Sequence, residues 1–389
     1  GEVLDKKTPL LRSEAAIDKA ARRVLALFGK FPKRVVSYVG PEQEYFLIPE
    51  DLYEQRPDLK FSGRTLFGAM PPKGQEMSDQ YFGDIREKVK KFMSDVDEQL
   101  WKLGITAKTQ HNEVAPCQHE IAPIFSVSNV ALDNNYLVMN VLKKTAKKYG
   151  LVCLLHEKPF DGINGSGKHN NWSLTTDDGI NLFKPGKEPE NNKVFQLVLA
   201  CLMSAVDKHA VLLRTAASNT GNDHRLGANE APPAIISIYL GDQVGDVVDQ
   251  IIKNGKATSS LHSGVIDFGI NKLPVLEKDP TDRNRTSPFA FTGNRFEFRM
   301  VASSNSIGDT NTVLSAMMAE AFADAIDALT GAEDLDKAVE EYTVKLMREH
   351  ERIIFNGNGY SAEWPVEAEK RGLPNCKSIV DAIPSLVAD

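Results

Sequence analysis

The chain has 389 residues, 42% of them hydrophobic and 25% charged, with a formal net charge of −7. These are the proportions of a globular protein large enough to bury a sizeable core, and the acidic balance argues against nucleic acid or an anionic membrane surface as partner, since both call for a basic patch. No apolar run reaches the roughly 20 residues that span a bilayer, residues 1–11 lack the apolar core of a secretory signal, and Cys117, Cys153, Cys201 and Cys376 stand far apart with no CxxC pair, the pattern of reduced thiols in a cytoplasmic protein.

In chain order, residues 14–29 have the spacing of a short amphipathic helix. Residues 35–39 and 43–48 read as two strands, or as one bent strand interrupted by Gly40-Pro41. The spacing of Ile85, Val89, Phe92, Val96 and Leu100 predicts a helix over 82–103, stopped by Gly104. A second helix is expected over 132–149, then a short apolar strand over 151–156 and a Gly- and Asn-rich loop over 161–171. Residues 194–217 read as one long buried helix, 234–240 as a β-rich run, and 295–301 as a strand alternating charged and apolar residues. Helices near 311–330 and 333–354 precede a stretch over 356–389 rich in Gly, Pro and Asn. Strands and helices mix without βαβ regularity, so the expected class is α+β, with a curved, largely antiparallel sheet and flanking helices.

Four segments carry candidate chemistry. In Glu42-Gln43-Glu44, strand alternation puts both carboxylates on the face of Phe46 and Ile48. Such a face needs a neutralising cation such as a metal; the alternative is a solvated edge strand. Glu113 and Glu120 bracket Pro116, whose bend could bring them together; the alternative is an exposed loop. Asn164-Gly165-Ser166-Gly167-Lys168-His169 lets backbone approach a ligand closely. It is not a phosphate loop of the Walker type, because His169 stands where Ser or Thr is required, and a lone histidine there also fits a structural role. Arg295-Phe296-Glu297-Phe298-Arg299-Met300 separates a charged from an apolar face, which equally suits a sheet with one wet side. Arg225, Arg283 and Arg285 lie upstream of it, and arginine is suited to carboxylate and phosphate. Together, five glutamates and one histidine suit Mg²⁺ or Mn²⁺ better than zinc, and carboxylates with arginines describe phosphoryl transfer.

Gly40-Pro41-Glu42-Gln43-Glu44-Tyr45-Phe46, the seven-residue step from Glu113 to Glu120, Asn164 to His169, and Arg295 to Arg299 resemble, in order, the acidic, glycine-rich and last metal-strand motifs of the glutamine synthetases. Asn229-Glu230-Ala231-Pro232-Pro233 and Arg283-Asn284-Arg285-Thr286-Ser287-Pro288 are most similar to the type III branch. The resemblance implies a catalytic domain of glutamine synthetase/guanido kinase type over 34–364, a helical lead-in over 1–33 and a tail over 365–389. It implies synthesis of glutamine from glutamate, ammonium and ATP through γ-glutamyl phosphate, with a γ-glutamyl ligase acting on another amine, or a nucleotide- and metal-binding core without turnover, as alternatives.

The resemblance also assigns roles. Glu44, Glu113 and Glu120 would hold a first metal, and Glu42, His169 and Glu297 a second. Asn164, Gly165, Arg225 and Arg299 would bind glutamate. Arg285 and Arg295 would meet the phosphates, with Arg285 on the transferring group, and His111 and Ser173 would lie along the nucleotide. Glu230 would sit on a flap and help take a proton from ammonium. Family members form stacked rings, so a homo-oligomer is expected. The family's small β-grasp domain and the long type III C-terminal region are expected to lie outside this chain. Two departures stand out: Ala290 occupies a position where other branches carry an arginine, and the step from Arg225 to Glu230 is one residue shorter.

Overall fold

The computed structural model describes residues 5–261, 265–266, 276–277 and 285–387. Its centre is a nine-stranded sheet. The bent-strand alternative holds at the start: Val35–Pro49 is one continuous strand, β1, running through Gly40-Pro41. Around it lie β2 (Ala107–Asn112), β3 (Gln118–Pro123), β4 (Leu151–Leu154), β5 (Gly167–Thr176), β6 (Ile238–Tyr239), β7 (Phe289–Phe291) and β8 (Phe296–Ala302). The order across the sheet is β2-β3-β1-β5-β8-β7-β6, with β4 and the two-residue strand Ser126–Val127 also pairing with β1. Every pairing is antiparallel except β7 with β6.

Alternation along the strands separates two environments. Trp172, Leu174, Phe296, Phe298 and Met300 point to the main core, covered by α1 (Lys7–Leu27), α4 (Lys193–Lys208) and α8 (Gly308–Leu329). Helix α1 starts earlier than its sequence spacing suggests and lays Leu10, Ile17, Ala21, Val24 and Leu25 against that core. A second core joins Tyr45 and Leu47 of β1 and Ile121 of β3 to α2 (Glu87–Lys102) and α3 (Ser128–Lys148). The opposite face of β1 and β5 carries Glu42, Glu44, His169 and Asn171.

Two expectations change. The single helix over 194–217 is two, α4 and α5 (Ala210–Ala216), bent by 75°; His209 between them has φ −111° and ψ 23°, outside the helical range. The bend aims the buried Arg214 at the Cys376 carbonyl, Ser218 and Asp223, while α6 (Thr220–Arg225) follows. The Gly- and Asn-rich loop becomes strand from Gly167 onward, because β1 and β8 supply ladder partners on both sides. The stretch 356–389 contains a helix, Glu363–Lys370, whose Trp364 stacks on Phe355 with ring centroids 3.6 Å apart. Helices α7 (Gly241–Asn254) and α9 (Leu335–Glu349) complete the periphery. Among the described residues, no single helix is long and apolar enough to cross a membrane.

Candidate active site

The sheet register assembles the acidic residues. Glu42 on β1 lies opposite His169 on β5, and Glu44 lies opposite Glu120 on β3. Glu297 on β8 pairs with Asn171, and His111 on β2 pairs with Glu120. Carboxylates placed directly opposite one another cost stability unless something neutralises them. The centre of the cluster is His169, 7% exposed. Its Nδ1 lies 3.1 Å from Glu42 Oε2 and 3.0 Å from Glu297 Oε1, and its Nε2 lies 3.7 Å from Glu44 Oε1. Glu44 Oε2 also accepts the Gly167 backbone N–H at 2.8 Å, which fixes the glycine-rich segment against β1.

Beside this group, His111 Nε2 lies 3.0 Å from Glu120 Oε1 and its Nδ1 3.7 Å from Glu113 Oε1. Glu113 sits in the turn between β2 and β3, where Cys117 takes φ 61°. The tight turn brings Glu113 and Glu120 into one cleft, as the bend at Pro116 suggests.

The electrostatics are those of a site short of positive charge. Burial, reinforced by Glu44 and Glu120, pushes Glu113 up to about 9. Burial also raises Glu120, although His111 opposes it. Hydrogen bonding to Glu120 lifts His111 to about 9. Burial and Arg299 press His169 towards neutrality, yet its bonds with Glu297 and Glu42 prevail and raise it to about 10.

Among the described residues, two groups have the spacing of metal ligands: Glu42, Glu120 and His169, and His111, Glu113 and Glu120, with the ligand atoms of each group within 4.8 Å of one another. Oxygen-rich donors with a single imidazole per group fit a hard divalent ion. The buried Nε2 of His169 makes no hydrogen bond, which also fits a bound ion. The grouping differs from the implied one: Glu120 belongs to both sets, His111 stands in the second, and Glu44 and Glu297 approach through His169.

A cleft of about 210 Å³ opens over this cluster, lined by Glu42, Glu113, Glu120, His169, Glu230, Arg285 and Arg299, with His111, Tyr81, Thr109 and Ala122. Arg299 is 3% exposed; its Nη1 donates to Glu297 at 3.3 Å and its Nη2 to the Glu230 carbonyl at 3.2 Å, while its Nε has no partner. Glu230 and Asn229 have φ of 67° and 52°, a left-handed pair of non-glycine residues. Arg285 Nη1 donates to Glu230 Oε1 at 2.5 Å, and the Tyr360 hydroxyl donates to the Ala231 carbonyl at 2.9 Å.

The remaining expected residues lie further from the cleft. Arg225 is buried beneath Gly165 and Gly167, where a Cβ at either glycine would overlap it. Asn164 is buried, with its Oδ1 unpartnered. Arg295 and Ser173 are half-buried and do not line the cleft. Arg283 lies outside the described residues. Ala290 is buried opposite Glu297 in the ladder.

Tyr81, Thr109 and Ala122 went unnoticed in the sequence. Thr109 and Ala122 could have been found by strand alternation, standing two residues from His111 and Glu120 respectively. Tyr81 lies in the four-residue helix Asp79–Phe82, within a stretch lacking periodicity, and no signal marks it.

Residues 19–237 match the family model "Glutamine synthetase, catalytic domain", and residues 338–389 match "Glutamine synthetase C-terminal domain". The chain is 49% identical to a glutamine synthetase of Butyrivibrio fibrisolvens, over 100% of this chain and 55% of that protein. It is 48% identical to the type-3 glutamine synthetase of Dictyostelium discoideum, over 99% of this chain and 53% of that protein. The chain therefore spans about half the length of these relatives. Among solved structures, a Plasmodium falciparum glutamine synthetase superposes with a TM-score of 0.54 at 15% identity, covering 82% of this chain and 56% of that one. GmaS without ligand gives 0.52 at 16% identity, covering 99% and 75%. The expected α+β class and the mostly antiparallel sheet agree with that fold, and the chain belongs to the glutamine synthetase family, where it is type III-like.

Proposed function

We propose that this chain carries the catalytic centre for ATP-dependent ligation of ammonia to L-glutamate, giving L-glutamine, ADP and phosphate. The observation that carries the reading is the convergence of Glu42, Glu44 and Glu297 on His169 within 3.7 Å, with Glu42, Glu44 and His169 inside the stretch that matches the family catalytic domain. Two divalent ions, Mg²⁺ or Mn²⁺, held among Glu42, Glu44, Glu113, Glu120, His169 and Glu297, would neutralise the triphosphate and the reacting carboxylate.

The chain's own residues account for the rest. Arg299 and Arg225, with Asn164 and Gly165, hold glutamate; the unmade Nε–H of each arginine and the free Oδ1 of Asn164 support this. Arg285 would face the transferring phosphoryl group and His111 would lie along the nucleotide, whereas Arg295 and Ser173, given the same role by resemblance, stand outside the cleft. The γ-carboxylate attacks the γ-phosphorus and ADP leaves, forming γ-glutamyl phosphate. Ammonium gives up a proton with help from Glu230, and the resulting ammonia attacks the acyl carbon as phosphate leaves. Water must be kept from the acyl phosphate, and the Asn229–Glu230 turn lies where a cover is needed. Family membership supports a homo-oligomer.

The test is phosphate release from ATP with Mg²⁺ or Mn²⁺, with and without glutamate and ammonium. Release that requires both substrates supports ligation. Release with glutamate alone supports acyl-phosphate formation by this chain without an ammonium site. No release refutes activity for the chain.

A further inference from the structure

Packed against the glycine-rich segment, and outside the lining of the cleft, lies a buried carboxylate that no assigned role uses. Glu157 is 1% exposed. Its Oε1 accepts from the Ser304 backbone N–H at 2.9 Å, the Ser304 hydroxyl at 2.5 Å and Asn219 Nδ2 at 3.3 Å. Asn219 caps helix α6, its Oδ1 accepting the Asn222 N–H at 2.8 Å. Asn222 in turn ties α6 to β8 through the Met300 carbonyl at 2.8 Å, and its Oδ1 accepts Arg225 Nη1 at 3.1 Å. A continuous polar chain therefore runs from Glu157 to the guanidinium of Arg225.

Packing reinforces it. The Glu157 carbonyl accepts the Ser166 N–H at 2.8 Å. A Cβ at Gly165 would overlap that carbonyl, and a Cβ at Gly221 would overlap the Glu157 carboxylate. Burial lowers the pKa of Arg225, and the carboxylates of Glu44 and Glu157 oppose that. An uncompensated buried carboxylate is costly to keep. Here two of its bonds come from Ser304, and the third, from Asn219, reaches the cap of the helix that ends in Arg225.

We propose that Glu157 is a positioning residue for glutamate recognition, setting the aim of Arg225 through Asn219 and Asn222. The proposal rests on the substrate reading above. The test uses the full chain with Glu157→Ala and Glu157→Gln, titrated separately with glutamate and with ATP in Mg²⁺ by calorimetry, alongside crystal structures of both variants. Gln keeps an acceptor oxygen at the Oε1 position. Expected are a loss of about ten-fold or more in glutamate affinity for Glu157→Ala, with ATP affinity within about two-fold, and near-complete rescue in Glu157→Gln. Equal losses for both ligands, or a Gln variant as impaired as Ala, would overturn it. If Glu157→Ala does not fold, Asn222→Ala removes the acceptor of Arg225 Nη1 and must show the same selective loss; unchanged glutamate affinity overturns the proposal. If the unaltered chain binds no glutamate, the substrate reading fails by itself, and the positioning claim is decided by whether Arg225 is displaced in the variant crystals.

Discussion

Glu42 and His169 stand opposite each other on adjacent antiparallel strands, with Glu42 Oε2 3.1 Å from the imidazole Nδ1. The same Nδ1 lies 3.0 Å from Glu297, so a strand on either side of β5 offers a carboxylate to one ring nitrogen. One ring nitrogen between two acceptors makes His169 the residue whose loss would open the cluster most widely.

Divalent metal should therefore stabilise the fold. Thermal unfolding in Mn²⁺ should occur at a higher temperature than in a chelator, with about 2.7 kcal/mol of added stability at a hundred-fold excess over Kd. His169→Ala should reduce the difference, leaving only what the His111, Glu113 and Glu120 group contributes. A variant that keeps the full metal-dependent shift would remove His169 from the site.

Glu297→Gln should weaken metal-dependent ATP binding by about ten-fold, or about 1.4 kcal/mol, because a carboxamide is a poorer ligand for a hard cation. The amide preserves shape between His169 and Arg299, so the unfolding midpoint in chelator should stay close to the parent's. Calorimetric titration in Mn²⁺ checks this, and unchanged affinity would exclude Glu297 as a ligand.

Arg299→Lys should raise the glutamate concentration needed for half-maximal turnover by about ten-fold or more, and affect ATP less. Lysine retains the charge but not the planar fork that a carboxylate engages. Steady-state titration of each substrate separates the two; equal effects would assign Arg299 to the nucleotide instead.

Thiol labelling in the native state should be selective. Cys117 is exposed, whereas Cys153 and Cys201 are buried and pushed by burial up to about 12. Mass spectrometry after brief alkylation at neutral pH should find Cys117 modified first. Early modification of Cys201 would contradict the packing of α4.

Much of the fold was legible because it was local. Alternation around Glu42 and Glu44 identified their shared face, and the spacing of Phe92, Val96 and Leu100 marked a helix that buries those residues. What sequence could not resolve depends on distant partners. His169 sits among glycines and asparagines that read as loop, and it becomes strand only because β1 and β8 flank it. For the row from Arg295 a sheet with one wet side was an equal alternative; both faces of β8 are buried, because Glu297 turns to His169 and Arg299 to Glu297 rather than to solvent. Tyr81 joins the cleft through a short helix with no pattern of its own.

The ladder has a further consequence for how the site comes into being. Five of the six candidate metal ligands are spread over four neighbouring strands, and side chains alternate with a period of two. A slip of one residue between any two of these strands would carry a ligand to the opposite side of the sheet and put a chain neighbour, such as Lys168 or Asn170 for His169, in its place. Misregistered molecules would therefore be blind to metal, and metal affinity would report the fraction of chains whose central strands are correctly paired.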